Sequence, residues 1–165
     1  MNVIKDEDTL YVLGDVIDRG PNGIAILLDI MKRDNVKMLM GNHEIMMLEY
    51  HNESPNPIDP NYLYAYMDRW CLNGNVSTIR EYNELSDEQK QAVLTYLKAL
   101  PYAFPNVKVN GRTFYLTHGK YVAGCLDTDV VDFAYIQEKG LNTDLFVWNR
   151  IEPTDEIVDD RIVIV

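Results

Sequence analysis

Short apolar runs alternate with segments of helical periodicity along this chain, and their order is informative. Residues 9–13 (TLYVL) form a brief apolar run that contains Tyr and Val and stops at Gly14. Such a run reads as a buried strand. Pro21 then opens a stretch in which Ile24, Leu27, Leu28 and Met31 recur at helical spacing. Residues 36–40 (VKMLM) make a second apolar run, which stops at Gly41. Strand, helix and strand in close succession predict a βαβ unit, with parallel strands and a right-handed crossover.

A helical middle follows. Residues 45–50 continue as a helix from the second run, Pro55, Pro57 and Pro60 mark a loop, and residues 61–72 and 76–82 carry helical patterns. Ser86 with Gln89 is a capping-box pair, opening a helix that runs to about Leu100, before Pro101. The segment of about 45–100 therefore reads as a helical insert or cap. β character returns in residues 106–109 and 112–116, which flank Asn110-Gly111, a strong hairpin signal. The second of these strands ends at Thr117-His118-Gly119. Residues 130–138 read as a helix stopped by Gly140, and residues 146–148 and 161–165 as strands. With no internal repeat and no clear linker, residues 1–165 read as one α/β domain.

Composition narrows the partners. A chain of 165 residues, 47% apolar and 25% charged, can bury a useful core. No apolar run approaches the ~18 residues needed to span a bilayer. The opening MNVIKDEDTL has no apolar segment of signal-peptide type, so the cytoplasm is expected. Cys71 and Cys125 show no metal or disulfide spacing and are expected as reduced, partly buried thiols. A net charge of −11 argues against a nucleic-acid groove or an anionic membrane as partner. A small phosphorylated substrate stays open, because divalent ions and one or two arginines supply positive charge locally.

The chemistry sits where the two apolar runs end. GDVIDRG occupies residues 14–20 and GNHE residues 41–44. Open α/β sheets bind ligands at the carboxyl ends of their strands. Asp15, held there by rigid backbone, has two oxygens that can bridge two divalent ions. Asn42 offers a hard amide oxygen, and the adjacent His43 is free to donate a proton to a leaving group. Asp18 can orient that imidazole, and Arg19 carries a forked donor for phosphate oxygens. His118, at the end of a strand, is a candidate ligand for the ion that Asn42 would hold. Arg150, after Trp148-Asn149, is a candidate second phosphate clamp. His51 reads as a solvated helix residue, and the tyrosine-rich stretch 62–70 as core or cap packing.

GDVIDRG, GNHE and the later Thr-His-Gly, in this order and spacing, resemble the phosphoprotein phosphatase branch of the calcineurin-like metallophosphoesterases. Bacterial serine/threonine phosphatases and symmetrical diadenosine tetraphosphate hydrolases have this look. The resemblance implies a four-layer α/β/β/α sandwich holding two divalent ions, Mn²⁺ or a combination with Fe or Zn. Asp15 would bridge the two ions, and Asn42 and His118 would belong to the second. His43 would be the general acid, supported by Asp18. Arg19, Asn42 and Arg150 would hold the phosphate.

The family also has an early Asp-x-His and a late Gly-His, and this sequence has neither. The expectation is that the natural protein is longer at both ends, the first strand and a C-terminal segment being absent here. The leading function is hydrolysis of phosphate monoesters, as by a serine/threonine protein phosphatase. The alternatives are hydrolysis of a dinucleoside polyphosphate and a non-catalytic remnant with an incomplete metal site. An aromatic and arginine clamp in the helical middle would favour nucleotides, and a broad shallow groove phosphoproteins.

Overall fold

A computed structural model describes residues 5, 7–56 and 59–165. The opening MNVI, Asp6, and Pro57 and Ile58 of the proline loop therefore lie outside the described residues. The expected βαβ unit is present: β1 (Leu10–Val12), α1 (Gly23–Ile30) and β2 (Val36–Met38), with Leu10 opposite Val36 in parallel register. The helix begins two residues after Pro21. Glu81 caps its start from a distance, accepting from the backbone N–H groups of Asn22 and Ile24 at 2.7 and 3.0 Å.

Four helices then follow: α2 (Asn42–Tyr50), α3 (Leu63–Leu72), α4 (Val76–Asn83) and α5 (Asp87–Lys98). A short 3₁₀ turn, Pro60–Tyr62, leads into α3. The capping box at α5 forms in both directions: Ser86 Oγ accepts from Gln89 N–H at 3.3 Å, and Gln89 Oε1 from Ser86 N–H at 3.1 Å.

The second sheet comprises β3 (Ala103–Val109), β4 (Arg112–Thr117) and β5 (Ile162–Ile164), with β4 central. Asn110 and Gly111 turn the hairpin with φ of 49° and 77°, the left-handed pair that a tight type I′ connection needs. β3 starts at Ala103, three residues earlier than the pattern suggests. Pro105, which has no N–H for the ladder, sits where the register shifts between Phe104 and Val107. β5 pairs parallel with β4. Tyr11 of β1 and Leu13 just beyond it meet Leu39, Phe104, Val107, Phe114 and Leu116 in a small apolar cluster, so the two sheets pack on each other.

One expected strand is a helix. Residues 146–148 fall in and after α7 (Asp144–Val147), which follows α6 (Phe133–Glu138). A run of three apolar residues has no readable period. Tertiary packing decides it: Phe146 and Val147 are both fully buried, with the Phe146 ring 6.2 Å from that of Tyr102. The larger core runs from α1 through α2 to α5, with Leu27, Met46, Met47, Leu48, Trp70 and Leu97 fully buried. Cys125 is buried and Cys71 exposed, and both thiols are free. No helix among the described residues is long and apolar enough to cross a membrane.

Candidate metal and phosphate site

The loop after β1 turns left-handed at five of its positions. Gly14, Asp15, Asp18, Arg19 and Asn22 have φ of 88°, 55°, 72°, 58° and 68°. Asp and Asn tolerate this region better than other residues with a side chain, and each such residue costs of order 1 kcal/mol. The surroundings hold them there. Glu44, fully buried, takes the backbone N–H groups of Asp15 and Val16 at 2.9 Å each and that of Gly41 at 3.0 Å. One carboxylate thus ties the first loop to the start of α2. The two loops touch at glycines: a Cβ on Gly14 would stand 2.7 Å from the Gly41 Cα, and one on Gly41 would collide with Asp15. At Arg19 the backbone N–H is anchored to the Gly74 carbonyl at 3.0 Å.

Three side chains from three elements converge. Asn42 stands at the first position of α2, Asp15 after β1, and His118 after β4. His118 Nε2 is 2.9 Å from Asn42 Oδ1 and 3.5 Å from Asp15 Oδ1. The other ring nitrogen, Nδ1, is 2.7 Å from the Leu13 carbonyl oxygen. A carbonyl can only accept, so Nδ1 carries a proton. In the neutral ring the lone pair of Nε2 then faces two oxygen acceptors. Three electron-pair donors pointed at one another suit a divalent cation between them, and the Leu13 carbonyl fixes the tautomer a ligating imidazole needs. Among the described residues no group of three or more His, Cys, Asp and Glu side chains is placed to hold a metal ion, here or elsewhere, the third donor of this trio being an amide.

His43 lies beside this trio and faces the other way. Its backbone N–H donates to Asp15 Oδ1 at 3.2 Å, and its Nε2 is 4.0 Å from Asp15 Oδ2. Its Nδ1 is 2.6 Å from Asp18 Oδ2. Burial alone would pull the imidazole down. The hydrogen bond to Asp18 and the charges of Asp15 and Asp18 outweigh it, and the net displacement is upward. A raised value favours the protonated ring that a general acid must start from. Asp18 is held in turn by Trp70, whose Nε1–H donates to the same Oδ2 at 2.7 Å, and by Thr78, whose Oγ accepts the Asp18 backbone N–H at 2.8 Å.

The two arginines are near this core without joining it. Among the described residues the Arg19 side chain donates to the Asn73 carbonyl alone, at 3.4 Å. Arg150 folds back on the carbonyls of Val147, Trp148 and Asn149 at 3.5, 3.4 and 3.2 Å. Gly119, next to His118, packs on Phe146 and the Asn149 carbonyl, so the chain leading to Arg150 runs beside the site. Among the described residues neither guanidinium is paired with a carboxylate.

A family profile for calcineurin-like phosphoesterases matches residues 1–160. The chain belongs to the calcineurin-like phosphoesterase family. Members are phosphoester hydrolases that use divalent metals in a dinuclear centre. Curated relatives match over about a quarter of the chain. A symmetrical bis(5'-nucleosyl)-tetraphosphatase of Acidovorax ebreus is 50% identical over 42 residues, which is 25% of this chain and 15% of that protein. A class 3 fructose-1,6-bisphosphatase of Clostridium novyi is 39% identical over 41 residues, 25% of this chain and 6% of the relative. A candidate serine/threonine-protein phosphatase of Caenorhabditis elegans is 49% identical over 43 residues, 23% and 12% of the two chains. The matches thus span a small part of each relative's length.

Three residues had no signal in the sequence as site residues. Glu44 is inside a recognised motif, but its bonds to Asp15 and Val16 span almost 30 residues. Trp70 and Thr78 act on Asp18 across 52 and 60 residues. A tyrosine-rich helix gives no hint of which aromatic carries a functional N–H. His51 is another correction. It is not a solvated residue: its ring lies 4.8 Å from that of Tyr82 and 5.1 Å from that of Tyr50, and burial pushes its pKa down. The stretch 62–70 divides, Tyr62 and Tyr64 being exposed and Trp70 buried.

Proposed function

We propose that this protein hydrolyses phosphate monoesters with a pair of divalent cations, in the manner of a serine/threonine protein phosphatase, on a four-layer α/β/β/α frame. The observation that carries the reading is the convergence of Asp15, Asn42 and His118 beside a His43–Asp18 pair. Asp15, Asn42 and His118 would hold one ion; of these only Asp15 would be shared with a second, whose further ligands the family takes from an Asp-x-His that this sequence lacks. When bound, such ions, Mn²⁺ foremost, activate the attacking water and neutralise the phosphoryl oxygens.

The chain's own residues do the rest. Asp18 keeps the His43 proton on Nδ1 and supports the charged ring, so Nε2–H is the proton available to the departing oxygen as its bond to phosphorus breaks. Arg19 and Arg150, unpaired with carboxylates among the described residues, would turn onto the phosphoryl oxygens, with Asn42 beside them. The test is a Mn²⁺-dependent assay on p-nitrophenyl phosphate and on an alkyl phosphate. His43→Ala is expected to lose the alkyl activity preferentially, by a factor of about 10²–10⁴. Equal activity of the variant and the parent on the alkyl substrate contradicts the assignment.

One observation favours a second reading, hydrolysis of a dinucleoside polyphosphate. Arg69 lies over the rings of Tyr66 and Trp148, at 5.2 and 5.0 Å, and pairs with the buried Glu49. Beside it is a polar cavity of about 200 Å³, lined also by Ser54, Asn56 and Asn142. Glu49 is seven residues beyond Asn42 on α2, so it shares a helix face with Asn42 about 10 Å further along. That separation suits a leaving group that carries a base. Turnover of diadenosine tetraphosphate against a phosphoserine peptide decides between the two.

A further inference from the structure

Trp70 is fully buried on α3, and packing against Tyr50 and His51, at 5.0 and 6.5 Å between ring centres, would account for that by itself. Its polar edge is a separate matter. The indole Nε1–H donates at 2.7 Å to Asp18 Oδ2, the same oxygen that stands 2.6 Å from His43 Nδ1. The other carboxylate oxygen, Oδ1, is buried with no hydrogen-bond partner among the described residues. The Asp18 side chain has no exposure to solvent. A buried carboxylate needs its donors, since water cannot replace them. Here both donors meet on one oxygen, and one of them comes from a helix 52 residues away.

We infer that Trp70 is a positioning residue for His43: its indole N–H holds Asp18 Oδ2 in the place that fixes the imidazole's tautomer and direction. The geometry leaves Asp18 few alternatives. Its backbone N–H is held by Thr78 Oγ, so the main chain is fixed and only the side-chain torsions are free. Without the indole donor, Oδ2 loses half its partners and the carboxylate can rotate to exchange Oδ1 for Oδ2. His43 Nε2 would then no longer be held toward Asp15 and the phosphate position. The helical segment that borders the site is thereby joined to its proton donor. The inference rests on the reading of His43 as general acid.

The test separates this role from packing. Protonation of the leaving group matters for an alkyl phosphate and little for p-nitrophenyl phosphate. Trp70→Phe, which keeps the aromatic body, is expected to lower kcat on the alkyl phosphate about tenfold or more, with KM and the p-nitrophenyl phosphate rate nearly unchanged. His43→Ala serves as reference and should show the same selectivity, more strongly. Equal loss on both substrates, or no loss on either, overturns the role of Trp70. Absence of leaving-group selectivity in His43→Ala itself overturns the general-acid reading instead. If Trp70→Phe does not fold, benzothienylalanine at position 70 in a Trp148→Phe background replaces the N–H by sulfur at nearly constant shape. The same selective loss relative to Trp148→Phe supports the role, and unchanged kinetics overturn it.

Discussion

Removing the charge from Glu44 should change how stability depends on pH. The side chain is fully buried and receives three backbone N–H groups, from Asp15, Val16 and Gly41. Burial pushes its pKa from an ordinary 4.5 to about 7, the hydrogen bonds only partly opposing it and the nearby Asp15 charge adding to it. The difference between 4.5 and about 7 corresponds to about 3 kcal/mol. The sign follows from proton counts. Between pH 4.5 and 7 the folded protein holds this proton and the unfolded chain releases it. The stabilisation is therefore full below pH 4.5, is lost as pH rises, and is gone above about 7. Glu44→Gln resembles the protonated acid in shape and in carrying a donor, so it should lack this loss. Turning an NH₂ toward a backbone N–H adds a penalty of about 1–3 kcal/mol that does not vary with pH. Urea unfolding of both proteins in EDTA, from pH 4.5 to 7.5, gives the difference directly. The wild type should lose about 3 kcal/mol relative to Glu44→Gln across that range. Parallel curves for the two proteins would refute the reasoning.

Gly14→Ala should unfold at markedly lower denaturant, by roughly 2 kcal/mol or more, because φ of 88° and a Cβ placed 2.7 Å from Gly41 both oppose the side chain. Thermal melting with and without Mn²⁺ checks it. Ser86→Ala should cost about 1 kcal/mol by removing the cap of α5, and it should leave any turnover of p-nitrophenyl phosphate unchanged because α5 carries no site residue. Arg150→Ala should raise KM for p-nitrophenyl phosphate and weaken inhibition by inorganic phosphate, with melting temperature unchanged, since Arg150 is exposed and touches only nearby carbonyls. An unaltered phosphate inhibition constant would remove it from the site.

The parts of the fold that could be read from the sequence are those where a local pattern decides. The two strands and the helix between them follow from apolar runs that stop at Gly14 and Gly41. The hairpin follows from Asn110-Gly111, and α5 from Ser86 and Gln89, whose reciprocal bonds are seen. Asp15, Asn42 and His118 are legible from motif and chemistry, and the fold brings Asp15 and Asn42 within 3.5 Å of the His118 Nε2. What could not be read was set by distant partners. Phe146 is helical because of what it packs on, and His51 is sheltered by Trp70 and Tyr82. Trp70 and Thr78 reach Asp18 only once α3 and α4 have folded over the loop.

Binding of Mn²⁺ to the wild-type protein and to Asp15→Asn, followed by calorimetry or by loss of the free-ion paramagnetic resonance signal, tests the central claim most directly. The readout does not depend on turnover. The account predicts binding by the wild type, weakened by more than about 100-fold in Asp15→Asn and likewise in His118→Ala, with circular dichroism unchanged. Equal Mn²⁺ affinity in all three proteins would contradict it.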